Sequence, residues 1–161
     1  MTMTKSERGF ILFFRLTMAW TFLYAASHQV FVEGWSVAGF LSHTVTFNWL
    51  FAPLANPTIA PAVSFLVGYG HLLIGLSLLV GLMVRVSAVF GALLMLLYWM
   101  AHMDFPYISD TNNFIIDSHI VYAGLLMFLA AKHAGHVWGL DGWLTSSGFT
   151  ERHPGLKPLF A

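Results

Sequence analysis

Apolar residues run through this chain in long blocks, not in the alternation of a half-buried strand. A membrane-spanning helix needs about 20 mostly apolar residues. Four blocks approach that length: residues 10–32, 59–82, 84–102 and 114–131. The third and fourth are the shortest. The spacing predicts an all-α, integral membrane four-helix bundle occupying residues 1–144, followed by a polar tail over 145–161. The tight connection at residues 83–86 makes the second and third spans an antiparallel hairpin. The stretch 34–50 in the first loop is amphipathic enough for a short interfacial helix. Residues 103–113 form a polar loop rich in Asp and Asn. Gly75 and Ser77 on the second span, and Ala88, Gly91 and Ala92 on the third, are small enough to let helices approach closely. Such faces also admit self-association into a homo-oligomer.

Composition strengthens the membrane reading. The chain is 58% hydrophobic and only 9% charged, against about 25% charged in a typical soluble domain. Lys plus Arg equals Asp plus Glu, seven of each, so nothing marks a nucleic-acid-binding surface. Cysteine is absent, which removes disulfides, thiolate zinc sites, iron–sulfur ligation and covalent haem attachment together. The N-terminal apolar run is too long for a signal-peptide core and is read as a retained first helix.

The cations are distributed unevenly. Lys5, Arg8 and Arg15 lie at the start, Arg85 in the tight connection, and Lys132, Arg152 and Lys157 in the tail. With four spans all seven share one side, and the two loops on the other side hold none. The positive-inside rule then places both termini in the cytoplasm of a multi-pass protein of the cell membrane. Arg15 reads as an anchor reaching back to the inner surface.

Polar residues gather on the outer side. His28 lies near the outer end of the first span, and His102 and Asp104 at the outer end of the third. Asp117 and His119 open the fourth, and His71 sits near the middle of the second. Ionisable groups at such depths usually face a bundle interior or a water-filled cavity. Trp20, Tyr24 and His28 fall four apart on one stripe, as do Tyr98 and His102, and His119 and Tyr122 are three apart. Flat rings beside imidazoles suit a flat, amphipathic redox molecule such as a quinone, whose carbonyl an imidazole can bond and protonate. His119, Asp117, His102, His28 and Asp104 are the candidate catalytic residues. His71, Tyr24, Tyr98, Tyr122 and Trp20 are the candidate quinone contacts, with quinone as a diffusible co-substrate. Facing imidazoles could instead ligate b-type haem. No local spacing supports a metal site, and no phosphate loop, nucleophile elbow or HExxH helix occurs.

Three segments resemble the DoxX/DoxD family. They are GHLLIGLSLLVGLMVRVSAVFGALLML at 70–96, NFIIDSHIVYAGLLMFLAA at 113–131 and WGLDGWL at 138–144; the opening at Arg15 is similar more loosely. The resemblance implies a four-helix membrane protein of redox metabolism. The DoxD branch is the large subunit of thiosulfate:quinone oxidoreductase, working beside a small partner subunit. Its outer-side acid and His correspond to Asp117 and His119. The chain departs from many relatives in carrying His28-Gln29 in place of a lysine and His71 in place of an acid. The alternative expectation is a membrane anchor for a soluble redox partner.

Overall fold

The structure is a computed structural model that describes residues 3–160. Four helices form its body: α1 (Lys5–Ser27), α4 (Ala60–Val80), α5 (Val84–Ala101) and α6 (Ser118–Ala131), with two short helices, α2 (Ala38–Ser42) and α3 (Asn48–Phe51), between the first pair. Three of the four, α1, α4 and α5, are long and apolar enough to cross a membrane. Helix α6 has 14 residues, or about 21 Å, which falls short of the roughly 30 Å hydrocarbon core. The apolar block assigned to the fourth span begins at Phe114, but residues 114–117 are not helical. Asp117 ends that stretch by accepting the His119 N–H at 3.0 Å, so the helix starts four residues late.

The other ends follow from local chemistry. Thr4 and Glu7 form a reciprocal capping box that starts α1. Pro61 in the first turn of α4 has no N–H to leave unpaired. Gly81 ends α4 in the left-handed conformation, φ 72°, a region L side chains avoid. The 34–50 stretch forms two short helices, not one, and Val37, Leu41 and Phe51 bury beneath them. The polar loop after α5 is a small antiparallel sheet, β1 (Met103–Asp104), β2 (Tyr107–Ile108) and β3 (Asp110–Phe114), in the order β1-β2-β3.

Helices α1 and α4 pack closely, as do α5 and α6. A Cβ at Gly75 would lie 2.7 Å from Leu23 Cγ, and one at Gly91 would lie 3.1 Å from Leu126 and 3.2 Å from Phe22. Phe22, Leu78, Leu126 and Leu129 fill the centre. In lipid such contacts, not water exclusion, hold helices together.

At the end bearing the N-terminus, Arg15 corrects the expectation of a membrane anchor. It is 2% exposed. Its Nη1 donates to the carbonyls of Ala134 at 2.7 Å and Val137 at 2.9 Å, and its Nη2 to Trp138 at 3.3 Å. Asp141, at the start of α7 (Leu140–Ser146), completes the lock. Its carboxylate accepts from the N–H groups of Met83 at 2.7 Å and Val84 at 3.1 Å, capping α5. Its own N–H donates to the Gly81 carbonyl at 2.9 Å. Burial pushes the Asp141 carboxyl up; the Met83 and Val84 donors and the charges of His136 and Arg15 oppose this. The WGLDGWL segment is thus the clasp joining α1, the α4–α5 turn and the segment after α6. A Cβ at Gly81 would lie 2.6 Å from the Gly139 Cα and 2.8 Å from Arg15 Nη1. Gly81→Ala is therefore expected to cost about 1–3 kcal/mol through overpacking and its positive φ, read as a fall of several degrees in thermal midpoint in detergent.

Residues 145–160 are not a loose tail. Helices α8 (Phe149–Arg152) and α9 (Lys157–Phe160) fold back, with Thr150 and Phe160 buried. His136 Nε2 meets the Phe160 carbonyl at 2.6 Å, bonding the segment to the loop after α6.

Candidate functional site

The end of the bundle opposite the clasp holds a cavity of about 240 Å³. Helix α1 supplies Thr21, Phe22 and Ala25 to its wall, the turn after it Gln29, and α4 His71. Met95 and Tyr98 come from α5 and His102 from its C-cap, and α6 supplies His119 and Tyr122. Its rings interlock. Tyr98 stacks on His119 at 5.8 Å with an interplanar angle of 11°, and His102 stacks on His119 at 5.0 Å and 23°. His71 lies 5.6 Å from Tyr98 and 5.5 Å from Phe22. Phe40, from α2, covers His102 at 4.7 Å.

The three imidazoles are tethered the same way. His71 Nδ1 meets the Val67 carbonyl at 2.8 Å, and His102 Nδ1 meets the Tyr98 carbonyl at 2.8 Å. A carbonyl can only accept, so in both rings Nδ1 carries the proton. His119 Nδ1 meets Asp117 Oδ2 at 2.5 Å. None of the three Nε2 atoms has a protein hydrogen-bond partner among the described residues. Neutral His71 and His102 therefore offer acceptors. His119, its Nδ1 held by the Asp117 carboxylate, likewise leaves its Nε2 free. This tether is a second-residue device of the kind that sets tautomer and ring orientation.

Asp117 and His119 are held by unusual backbone. Ile115, β-branched, lies at φ 61°, a region costly to such side chains. Its N–H donates to the Pro106 carbonyl at 2.9 Å, and its own carbonyl accepts the Trp99 indole N–H at 2.8 Å. Those bonds pin the entry to α6 and so the carboxylate behind His119. Asp117→Asn would keep an oxygen for the helix cap but lose the charge. Helix content by circular dichroism is therefore expected to be unchanged in this variant.

Of the ten residues singled out from sequence, the structure brings five to the cavity wall: His71, Tyr98, His102, His119 and Tyr122. Asp117 stands behind His119. Trp20, Tyr24, His28 and Asp104 lie elsewhere. Trp20 and Tyr24 are 70% and 58% exposed. His28 is exposed and bonds the Tyr24 carbonyl at 3.0 Å. The reason is rotational. The buried face of α1 carries Met18, Phe22 and Ala26, and positions 20, 24 and 28 lie on its far side. Asp104 is exposed in the short strand β1. Gln29 was missed: it lines the cavity, and its buried Oε1 has no hydrogen-bond partner. Its signal was legible as the seven-residue step from Phe22. Phe40 had no such signal, because α2 reaches the site only through the folding of the loop.

No group of three His, Asp or Glu among the described residues is placed to hold a metal ion. The His102 and His119 rings, stacked face to face, do not point their free nitrogens at a common iron between them, so this pair does not fit axial haem ligation.

Three helices long and apolar enough to cross a membrane, bundled around a ring-lined cavity at one end, define a multi-pass membrane protein. A family model described as DoxX matches residues 10–103, more than half of the chain. The chain belongs to the DoxX family. The match includes most of α1, all of α4 and α5, and Arg15 of the clasp, and ends before Asp117 and His119. No curated protein and no solved structure matches the chain.

Proposed function

We propose that this protein is the quinone-binding subunit of a membrane oxidoreductase that takes electrons from a small sulfur compound of the thiosulfate type. The observation that carries this reading is the set of three imidazoles, each fixed through Nδ1 and each with Nε2 free, around a cavity walled by Tyr98, Tyr122 and Phe22. A quinone ring would stack against Tyr98 or His119. His119, as the imidazolium held by Asp117, donates a proton to one quinone oxygen as two electrons arrive. The second proton comes from water at the outer end. His71 and His102 accept hydrogen bonds from the hydroxyl groups of the quinol formed. The balanced reaction is two thiosulfate ions, one quinone and two protons giving one tetrathionate and one quinol.

The alternation of α1, α4, α5 and α6 gathers all seven Lys and Arg at the clasp end. With α6 counted as a fourth, short span, we take that end as cytoplasmic in a cell membrane and the cavity as opening outward. The two outer loops contain no Lys or Arg, so a dianion would meet positive charge only from protonated histidines or from a partner subunit.

The test is the purified chain in lipid nanodiscs with decylubiquinone and thiosulfate, following loss of the oxidised-quinone absorbance. Turnover by the chain alone supports the complete enzyme. Quinone binding with turnover only after a co-purified protein is added supports the subunit. Failure to bind quinone removes this reading and leaves the anchor for a soluble redox partner. A visible spectrum before and after dithionite is expected to show no Soret band, in line with the misfit of the stacked histidines.

A further inference from the structure

A cavity inside a bundle must be loaded from somewhere, and exposure along its wall shows where it opens. Phe22, His71 and Met95 form its floor, at 1%, 3% and 6% exposed. Thr21, Ala25, His119 and Tyr122 are only half-buried. The contacts of Gly75 with Leu23 and of Gly91 with Leu126 close the α1–α4 and α5–α6 seams. Of the two seams left, α4–α5 and α1–α6, it is α1–α6 that the half-buried Thr21, Ala25 and Tyr122 border.

The depth of that opening follows from helix geometry. At about 1.5 Å per residue, Ala25 and Thr21 lie about 3 and 9 Å below the end of α1, and Tyr122 about 6 Å below the start of α6. The mouth therefore faces sideways, near the level where headgroups give way to acyl chains. Its α1 lip continues into the ladder of Trp20, Tyr24 and His28, with ring spacings of 6.2 and 4.6 Å. That is the composition of a membrane-interface belt. Further along the same seam, Phe10, Ile11, Phe14 and Phe128 frame a second cavity of about 260 Å³, with Met3, Glu7 and Lys132 completing its wall. The seam is thus unfilled at both ends and apolar through most of its length.

We infer that the cavity is loaded laterally from the bilayer through the α1–α6 seam, and that its ligand is a lipid-soluble molecule whose flat head passes between Thr21 and Tyr122 while its apolar chain lies along the seam. This rests on the reading of the cavity as a quinone site and adds the route and the chain-binding surface. It also gives the exposed Trp20–Tyr24–His28 stripe a role as the lip of the entrance. The rival entrance is the apolar groove of about 160 Å³ beneath α2 and α3, lined by Phe40, Leu41, Leu97 and Tyr98 among others. It lies on the α4–α5 side of the bundle.

Because the chain has no cysteine, a single introduced thiol can be blocked selectively. Thr21→Cys on the α1 lip, Ser118→Cys at an exposed position one helical turn before Tyr122 on α6, and Leu97→Cys in the rival groove are each compared with themselves before and after N-ethylmaleimide. Binding of decylubiquinone, a fully substituted ring to which thiols do not add readily, is read from quenching of tryptophan fluorescence in nanodiscs. Blocking Thr21→Cys or Ser118→Cys is expected to weaken binding about tenfold or more, equivalent to 1.4 kcal/mol. Saturating decylubiquinone should slow the modification of both, while blocking Leu97→Cys changes nothing. Loss of binding on blocking Leu97→Cys alone, or full binding with all three blocked, overturns lateral entry through this seam and leaves the quinone reading intact. Absence of binding to the unsubstituted chain overturns both.

Discussion

Arg15→Ala is expected to be the most damaging single substitution for folding. The guanidinium is the hub of the clasp, with three backbone carbonyls on its Nη atoms. Each carbonyl left buried without a donor costs about 1–3 kcal/mol. With some relaxation and hydration the net loss is about 3–5 kcal/mol, the range seen when one partner of a buried charged cluster is removed. That is a large part of the stability of an ordinary domain. Expression should fall sharply, and any protein recovered in detergent should melt about 10 °C or more below the parent. Arg15→Lys should fall between the two. An ammonium can reach one carbonyl, but it lacks the planar fork that serves Ala134, Val137 and Trp138 together. A melting temperature for Arg15→Ala within about 2 °C of the parent would show that water or a rearranged loop replaces the clasp.

His119→Ala should do the opposite: remove activity and leave the bundle standing. The side chain is half-buried, and its tether runs to Asp117, a residue that still caps α6 through the His119 N–H. Alanine keeps that N–H. The imidazole, however, is the group of the proposed mechanism that both contacts the quinone and exchanges a proton. General acid–base catalysis of this kind contributes about 10²–10⁴-fold. Quinone reduction should drop by roughly 10³-fold, with the thermal midpoint shifted by no more than about 2 °C. Tyr122→Phe, which keeps the ring and loses the hydroxyl, should retain most of the turnover. Wild-type rates in His119→Ala would remove His119 from the chemistry and shift attention to His71 and His102.

Much of the site was legible because helix periodicity carries it. The pairs Tyr98–His102 and His119–Tyr122 were read from their spacing, and the structure places both pairs on the cavity wall. The same periodicity misplaced Trp20, Tyr24 and His28. Spacing shows that three residues share a stripe but not which way the stripe faces. In a membrane both faces of a helix are apolar, so the hydrophobic pattern that orients a soluble helix says little. The difference between the stripe of Phe22 and Gln29 and that of Trp20 and Tyr24 appears only once α4 and α6 are in place.

By itself the sequence determined the element class, the apolar blocks and the absence of Lys and Arg from two of the loops between them. These are local properties, set by length, composition and the need to satisfy backbone hydrogen bonds within each helix. The tertiary structure decided what Arg15 does. A cation one and a half turns into an apolar block can reach the membrane surface or find carbonyls within the protein, and the latter required residues 134–138 to fold back beside it. It likewise decided that WGLDGWL is a clasp: Asp141 reaches N–H groups 57 and 58 residues away in the chain, and Gly81 and Gly139 are small because the two segments touch. Contacts of that separation leave no periodic trace in one sequence.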